Sequence, residues 1–423
     1  LALYAGSFNW PHSIEFEIVG TPGSTSTGAV EVAGDRYFLR PSKAFSFSTF
    51  ESSERLLRTR IDGVPSLLRG HVFVVDGTVG LRIDEARLGT DDPDAVFVAA
   101  SATFELLPSL CTWRHEDGAA RSTSNALALP EITPAPAMSL ILGADGIAVM
   151  TAATATSLDD FDHHLAALQD LICFAADRPA ERLSLVAMTP AGTQVSILGR
   201  NRFPQFGKVV RQPVEYLLRF GAAYMQDAIS TWWGGRTALR PVPQVLAGLR
   251  YQPGWVETDV NILAACVELF GRVQFPSVVS RRISVLDFTK IEDALDSLPG
   301  LNRSQRDFIN FIKSSAGGRP QRLDESIDAI AADLGQTLSE AGINGTDWKL
   351  ALIEARNGVS HAGGAGGLTD ADLRAARDAT RVVLSLDVLK HMHLPSAALA
   401  RAAERLKVRY AINHRETATY RPQ

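Results

Sequence analysis

Arg356 and His361, in the stretch ARNGVSHAGGAGG at 355–367, bring together two side chains suited to chemistry on an anionic ester. Histidine, with an ordinary pKa of ~6.5, takes up or releases a proton near neutral pH. Arginine stays charged and offers a planar fork of donors that stabilises negative charge building on a phosphate. Asn357 adds an amide able to orient either group, and Glu354 and Ser360 stand close enough in sequence to support them. The plainer reading is a surface arginine and a helix-terminal histidine that favours the dipole.

Spacing alone does not decide between these. With 35 Arg and 9 His in 423 residues, random placement gives about 0.7 Arg-x-x-x-x-His pairs. Two occur, Arg356…His361 and Arg409…His414. The first has context. Trp348, Leu352, Ala355 and Val359 form an apolar stripe, which places Arg356 at the margin of a core-facing helix surface with Thr346 as the expected cap. Five residues of ideal helix turn by ~140° and rise by ~7.5 Å, so Arg356 and His361 diverge unless the helix changes course. Asn357-Gly358 and the glycines at 363–367 are expected to loosen it there. The second pair has no such breaker and lies near the chain end.

Other constellations are poorer. DDFDHH at 159–164 puts Asp160 and His164 four residues apart on one helix face. A metal site is conceivable, but a solvated face opposite an apolar stripe is the simpler reading, and no further ligand cluster supports a metal. His391 and His393 precede Pro395 at a helix end, where a cationic imidazole is favoured. Trp232-Trp233 has surfaces that can stack on bases, although paired tryptophans more often pack inside. Phosphate-binding Gly-rich loops and nucleophile elbows are missing from the sequence.

The elements that would position these residues follow from length and pattern. A chain of 423 residues has room for two or three domains, and 46% hydrophobic with 21% charged is ordinary globular composition. No uninterrupted apolar run is long enough for a membrane span, and the first residues lack the pattern of a signal peptide. Cys111, Cys173 and Cys266 are odd in number and widely spaced, which fits a reducing cytoplasm rather than a disulfide framework. Net charge is −5, yet from Arg381 to Gln423 there are 8 Lys/Arg against 3 Asp/Glu. Arg401, Arg405, Lys407 and Arg409 make that end a candidate polyanion-facing surface, or equally a solvated helix face.

The first half reads as antiparallel strands: IEFEIV at 14–19, HVFVVDGTVGLRID at 71–84 around Asp76-Gly77, AVFVAASATFELL at 95–107, and MSLILGADGIAVM at 138–150 around Asp145-Gly146. Ser157 and Asp160 form a capping box before the stripe Phe161, Leu165, Leu168, Ile172. LSLVAM and TQVSIL, within 183–198, return to strand, and helical segments are expected near 212–230 and 257–272. A soft boundary falls in the mixed stretch 273–290, giving a β-rich region 1–275 and a helical bundle 276–423. Four or five antiparallel helices are expected in that bundle, one from Thr369, capped through Asp372, towards Pro395 and the last over 396–411. The fold class is α+β.

A helical C-terminal bundle carrying Arg356-Asn357-x-x-x-His361 resembles the HEPN family, whose nuclease members carry an Arg-x(4–6)-His motif with a polar residue after the arginine. The β-rich region ahead of the bundle is similar in domain order to ApeA-type anti-phage proteins. The resemblance implies RNA cleavage without metal or other cofactor, with the ribose 2′-hydroxyl as nucleophile. Arg356 would serve the scissile phosphate, His361 the proton transfers, and Asn357 would support them. It also implies a homodimer through the bundle, with the active groove between two copies, and a phage-derived trigger acting on the N-terminal region. Inactive members of the family bind RNA or partners, so a non-catalytic dimerisation or RNA-binding bundle beside a ligand-binding β domain stays open.

Overall fold

Alternating apolar and polar residues in the first half build antiparallel sheet, and the 3.6-residue period of the second half builds helices. The computed structural model describes residues 54–61, 64–75, 78–111, 132–135, 137–143, 145–199, 216–218, 225–239, 241–251, 254–275, 285–298, 303–317, 322–362, 368–410 and 412, with short strand segments at 15–19, 27–28, 31–33 and 36–38. The chain divides into two compact units, Leu1–Gln226 and Asp227–Gln423. The architecture is mixed α+β, as expected from the sequence.

The first unit contains β1 (Glu15–Val19), β2 (Thr27–Gly28), β3 (Glu31–Ala33), β4 (Arg36–Phe38), β5 (Glu54–Ile61), β6 (Val64–Val75), β7 (Thr78–Leu88) and β8 (Phe97–Phe104). After the short helix α1 (Leu107–Cys111) come β9 (Ile132–Ala135), β10 (Met138–Leu142), β11 (Ile147–Thr156), α2 (Leu158–Ala176), β12 (Arg182–Met188) and β13 (Gln194–Leu198). The strands join in the order β2-β1-β5-β6-β7-β13-β12-β8-β11-β10-β9, with β4 alongside β7 and β3 beside β4. The strand pairs along this path are antiparallel.

Both hairpins expected from Asp-Gly pairs are present. Val75 of β6 sits opposite Thr78 of β7, with Asp76-Gly77 between them outside the described residues. Between β10 and β11, the Gly146 N–H donates to the Gly143 carbonyl at 3.0 Å, and the Ile147 N–H to the Asp145 carboxylate at 3.0 Å. Gly146 has φ +88, and a Cβ there would lie 2.6 Å from Pro108 Cγ, so only glycine fits.

Helix α2 begins at the capping box read from the sequence, with Ser157 accepting from the Asp160 N–H and Asp160 reaching back to the Ser157 N–H. Phe161, Leu165, Leu168 and Ile172 are completely buried, and α2 packs against β8 and β11. Arg182 of β12 donates to Asp162 of α2 at 2.7 Å, pinning the helix to the sheet.

The second unit contains α3 (Met225–Ala238), which straddles its start, α4 (Val242–Tyr251), α5 (Val256–Gln274), α6 (Val285–Asp296), α7 (Arg303–Gly317), α8 (Leu323–Leu334), α9 (Gln336–Glu340), α10 (Gly345–Ala362), α11 (Asp370–His391) and α12 (Ser396–Arg409). Its division from the first unit therefore falls ahead of the boundary expected near 275. The cause is α5. Leu263, Val267 and Phe270 are buried, and the helix packs on α8, α10 and α11, so it belongs to the bundle that the sequence pattern began only after it.

Beyond residue 280 there are seven helices among the described residues, not four or five. One reason is Gly335, with φ +49, which separates α8 from α9 where the apolar pattern alone would let one helix run on. Helix α11 has the expected Thr369–Asp372 capping box. No helix among the described residues is long and apolar enough to cross a membrane.

Candidate functional site

Helix α10 carries Glu354, Arg356, Asn357, Ser360 and His361, and its foundations are firm. Asn344, not Thr346, is the cap: its side-chain oxygen accepts from the Thr346 N–H at 2.9 Å and the Asp347 N–H at 3.3 Å. One turn in, the Trp348 indole N–H donates to Thr380 Oγ1 of α11 at 3.0 Å, and Thr380 donates onward to the Ala376 carbonyl at 2.7 Å. Trp348, Leu352 and Ala355 are buried, while Val359, the last residue of the expected stripe, is only half-buried. Lys349 pairs with Asp328 of α8 on the helix flank.

Arg356 emerges at the edge of this buried stripe. Its Nη2 lies 3.7 Å from Oε1 of Glu268 on α5, and the other oxygen of Glu268 accepts from Arg272 Nη2 at 3.2 Å. The side chains of Arg356 and Arg272 are 41% and 42% exposed, and that of Glu268 is 23% exposed. One carboxylate thus serves two half-exposed guanidinium groups on two packed helices. Such partly solvated pairs contribute only about 0–1 kcal/mol each to stability.

The helix runs unbroken through Asn357 and Gly358 to Ala362, so the expected loosening at that pair does not occur. An interior glycine costs a helix only ~1 kcal/mol relative to alanine, and the cap and buried stripe outweigh it. Helical geometry then fixes the relation of the candidate positions. Arg356 and Ser360 fall within ~40° of one another, whereas Glu354 and His361, two turns apart, fall within ~20° on a different face, with Arg356 and His361 ~140° apart. Asn357 is exposed, on the surface opposite the buried stripe. The glycines at 363–367 lie outside the described residues. Within one copy of the chain, the continuous helix puts positions 356 and 361 on different faces.

Arg401, Arg405 and Arg409 recur at four-residue steps along α12, which packs on α9 and α11. Lys407 lies 3.5 Å from Glu404 within the same helix. Helix α10 has different partners, α5 and α8, and shares α11. Arg409 ends α12, and His414 lies outside the described residues.

The structure resolves the lesser constellations. The Asp160 carboxylate is engaged by Thr156 and Ser157, and these hydrogen bonds, that from Thr156 foremost, hold it below the usual aspartate range. It is a cap, and no group of three or more His, Cys, Asp or Glu among the described residues is arranged to hold a metal ion. Trp232 and Trp233 are buried in α3, 1% and 7% exposed, and present no stacking surface. His391 packs beside Gly235, and Gln274 Nε2 sits 3.2 Å from its Nδ1. Burial, followed by the neighbouring His393, pushes the His391 pKa down, so the cationic form expected at this helix end is disfavoured.

No protein-family model, curated protein or solved structure matches this chain. Its site must be read from its own residues. Two of these, Glu268 and Arg272, were invisible to motif reading. Their i, i+4 spacing in VELFGRV marks an ordinary surface ion pair, and the pattern assigned that segment to the other domain.

Proposed function

We propose that the chain is a HEPN-type endoribonuclease in which Arg356 binds the scissile phosphate and His361 transfers protons. The observation that carries this reading is Arg356 itself. It is half-exposed, set on a helix locked by Asn344 and Trp348, and next to a second guanidinium across a weakly held carboxylate. The chemistry asks little more of a protein. The ribose 2′-oxygen gives up its proton to a base and bonds to phosphorus. The bond to the 5′-oxygen breaks, that oxygen takes a proton, and a 2′,3′-cyclic phosphate remains. Histidine suits both proton transfers, and arginine suits the extra charge on the phosphorane.

Because α10 stays helical between Arg356 and His361, a complete site calls for two copies, Arg356 from one facing His361 from the other. In this reading the protein acts as a homodimer, and the N-terminal unit senses infection and restrains an anti-phage effector.

The test is cleavage of a labelled oligoribonucleotide, with product analysis. Arg356→Ala and His361→Ala should each abolish cleavage, Arg356→Lys should impair it badly for want of the planar fork, and EDTA should leave it unchanged. Mixing the two inactive alanine variants should restore about a quarter of the wild-type rate. Half the dimers are then mixed, and each mixed dimer keeps one intact composite site. Mixtures as inactive as their parents would rule out sharing across copies. Unimpaired cleavage by Arg356→Ala would overturn the assignment altogether.

A further inference from the structure

We infer that Arg272 of α5 is a second phosphate-binding residue of the Arg356 site, and that Glu268 is a built-in anion occupying that site until RNA displaces it. The inference rests on the ribonuclease reading and extends the site to a helix outside the motif. Its basis is the way Glu268 is held. Its two oxygens face different guanidinium groups, Oε1 towards Arg356 at 3.7 Å and Oε2 accepting from Arg272 at 3.2 Å. A phosphodiester offers the same feature, two anionic oxygens on one centre, and arginine pairs with carboxylate and phosphate through the same fork.

Three features make exchange feasible. Both arginines are about two-fifths exposed, so a phosphate reaches them without unfolding anything. The contact from Arg356 is long, beyond hydrogen-bonding distance, so little is lost when it is broken. Two guanidinium groups face this one carboxylate, so a phosphate entering beside it meets positive charge from both. The backbones beneath are fixed, with α5 pressed against α8 at Gly271 and α10 tied to α11 through Trp348. The side chains can swing while their anchor points stay in place. A purely structural role, with Glu268 only tying α5 to α10, predicts the opposite response to its removal.

Full-length protein carrying His361→Ala would be titrated with a 2′-O-methyl oligoribonucleotide by fluorescence anisotropy across a range of salt. Cleavage by otherwise wild-type protein would be measured in parallel. Arg272→Ala should weaken binding about five- to tenfold and lower the slope of log affinity against log salt by about one. It should raise KM by the same factor with little change in kcat, and Arg272→Lys should fall between. Glu268→Gln should tighten binding several-fold, because it removes the negative charge that faces both guanidinium groups. Melting temperatures close to wild type would establish that each variant is folded.

Unchanged affinity and salt slope in Arg272→Ala, or weaker binding in Glu268→Gln, overturns this assignment. When Arg356→Ala still abolishes cleavage in that case, the ribonuclease reading survives it. If Arg356→Ala changes neither binding nor cleavage, both fall together.

Discussion

At the scale of single residues, the helical unit treats its charges in two ways, and the contrast separates scaffold from surface. Arg356, Arg272 and Glu268 remain partly in water, where charge is cheap to keep and can be exchanged. Asp387 of α11 is the reverse case. It is 3% exposed, and one carboxylate oxygen is buried without a hydrogen-bond partner. Burial, with Asp333 adding to it and Lys390 opposing it, pushes its pKa well above the usual aspartate range. A carboxyl whose folded pKa is raised binds more protons when folded than when unfolded, so stability must fall as pH rises. That contribution is fully present below the ordinary aspartate pKa of ~3.9 and is lost as pH climbs through the raised value. Asp387→Asn keeps the shape and removes the ionisation. Urea midpoints measured from about pH 4 to pH 8 should therefore show the variant gaining on the wild type as pH increases. Parallel curves would mean that Asp387 titrates normally.

At the scale of elements, the helices of the second unit approach each other where small residues allow it. Gly271 lies where α5 meets α8, and a Cβ there would stand 2.5 Å from Ser326 Cβ and 3.0 Å from its Cα. Gly271→Ala must push α8 away, at a cost of about 1–3 kcal/mol. It should also disturb the turn of α5 that bears Glu268 and Arg272. Gly248, inside α4, has nothing within 4 Å of such a Cβ, so Gly248→Ala should be neutral or stabilise by up to ~1 kcal/mol. Melting both variants checks this, and equal effects would show that helix propensity rather than the close approach governs Gly271. The same elements show what could be read from sequence. Capping boxes at Ser157 and Thr369 and the hairpin at Asp145-Gly146 were readable because each is set by residues three or fewer apart. The cap of α10 was assigned two residues too late, to Thr346, since Asn344 and Thr346 are both competent caps and only the backbone path chooses. Glu268 could not be tied to Arg356, because nothing local links residues so far apart in the chain. The continuity of α10 through Asn357-Gly358 was equally hidden, since it depends on packing by Trp348 and Leu352 rather than on the pair itself.

At the scale of the whole molecule, the placement of α5 determines where the helical unit begins. A fragment starting at residue 276 would match the sequence pattern but would lack the helix that packs on α8, α10 and α11. It would bare the surfaces that Leu263, Val267 and Phe270 cover and lose Glu268 and Arg272 as well. A fragment of residues 227–423 retains all of these. We expect 227–423 to unfold cooperatively in urea, followed by far-UV circular dichroism, and 276–423 to show a broad or absent transition. A sharp transition in the shorter fragment would show that α5 is dispensable to the bundle. The longer fragment then tests restraint by the N-terminal unit. A trigger can act only by favouring one of two states, so removing the region proposed to receive it should release the active one. Cleavage by 227–423, compared with the full chain at concentrations where both are dimeric, should therefore be faster. Equal rates from a cooperatively folded fragment would remove the restraining role and leave a ribonuclease whose β-rich unit serves another purpose.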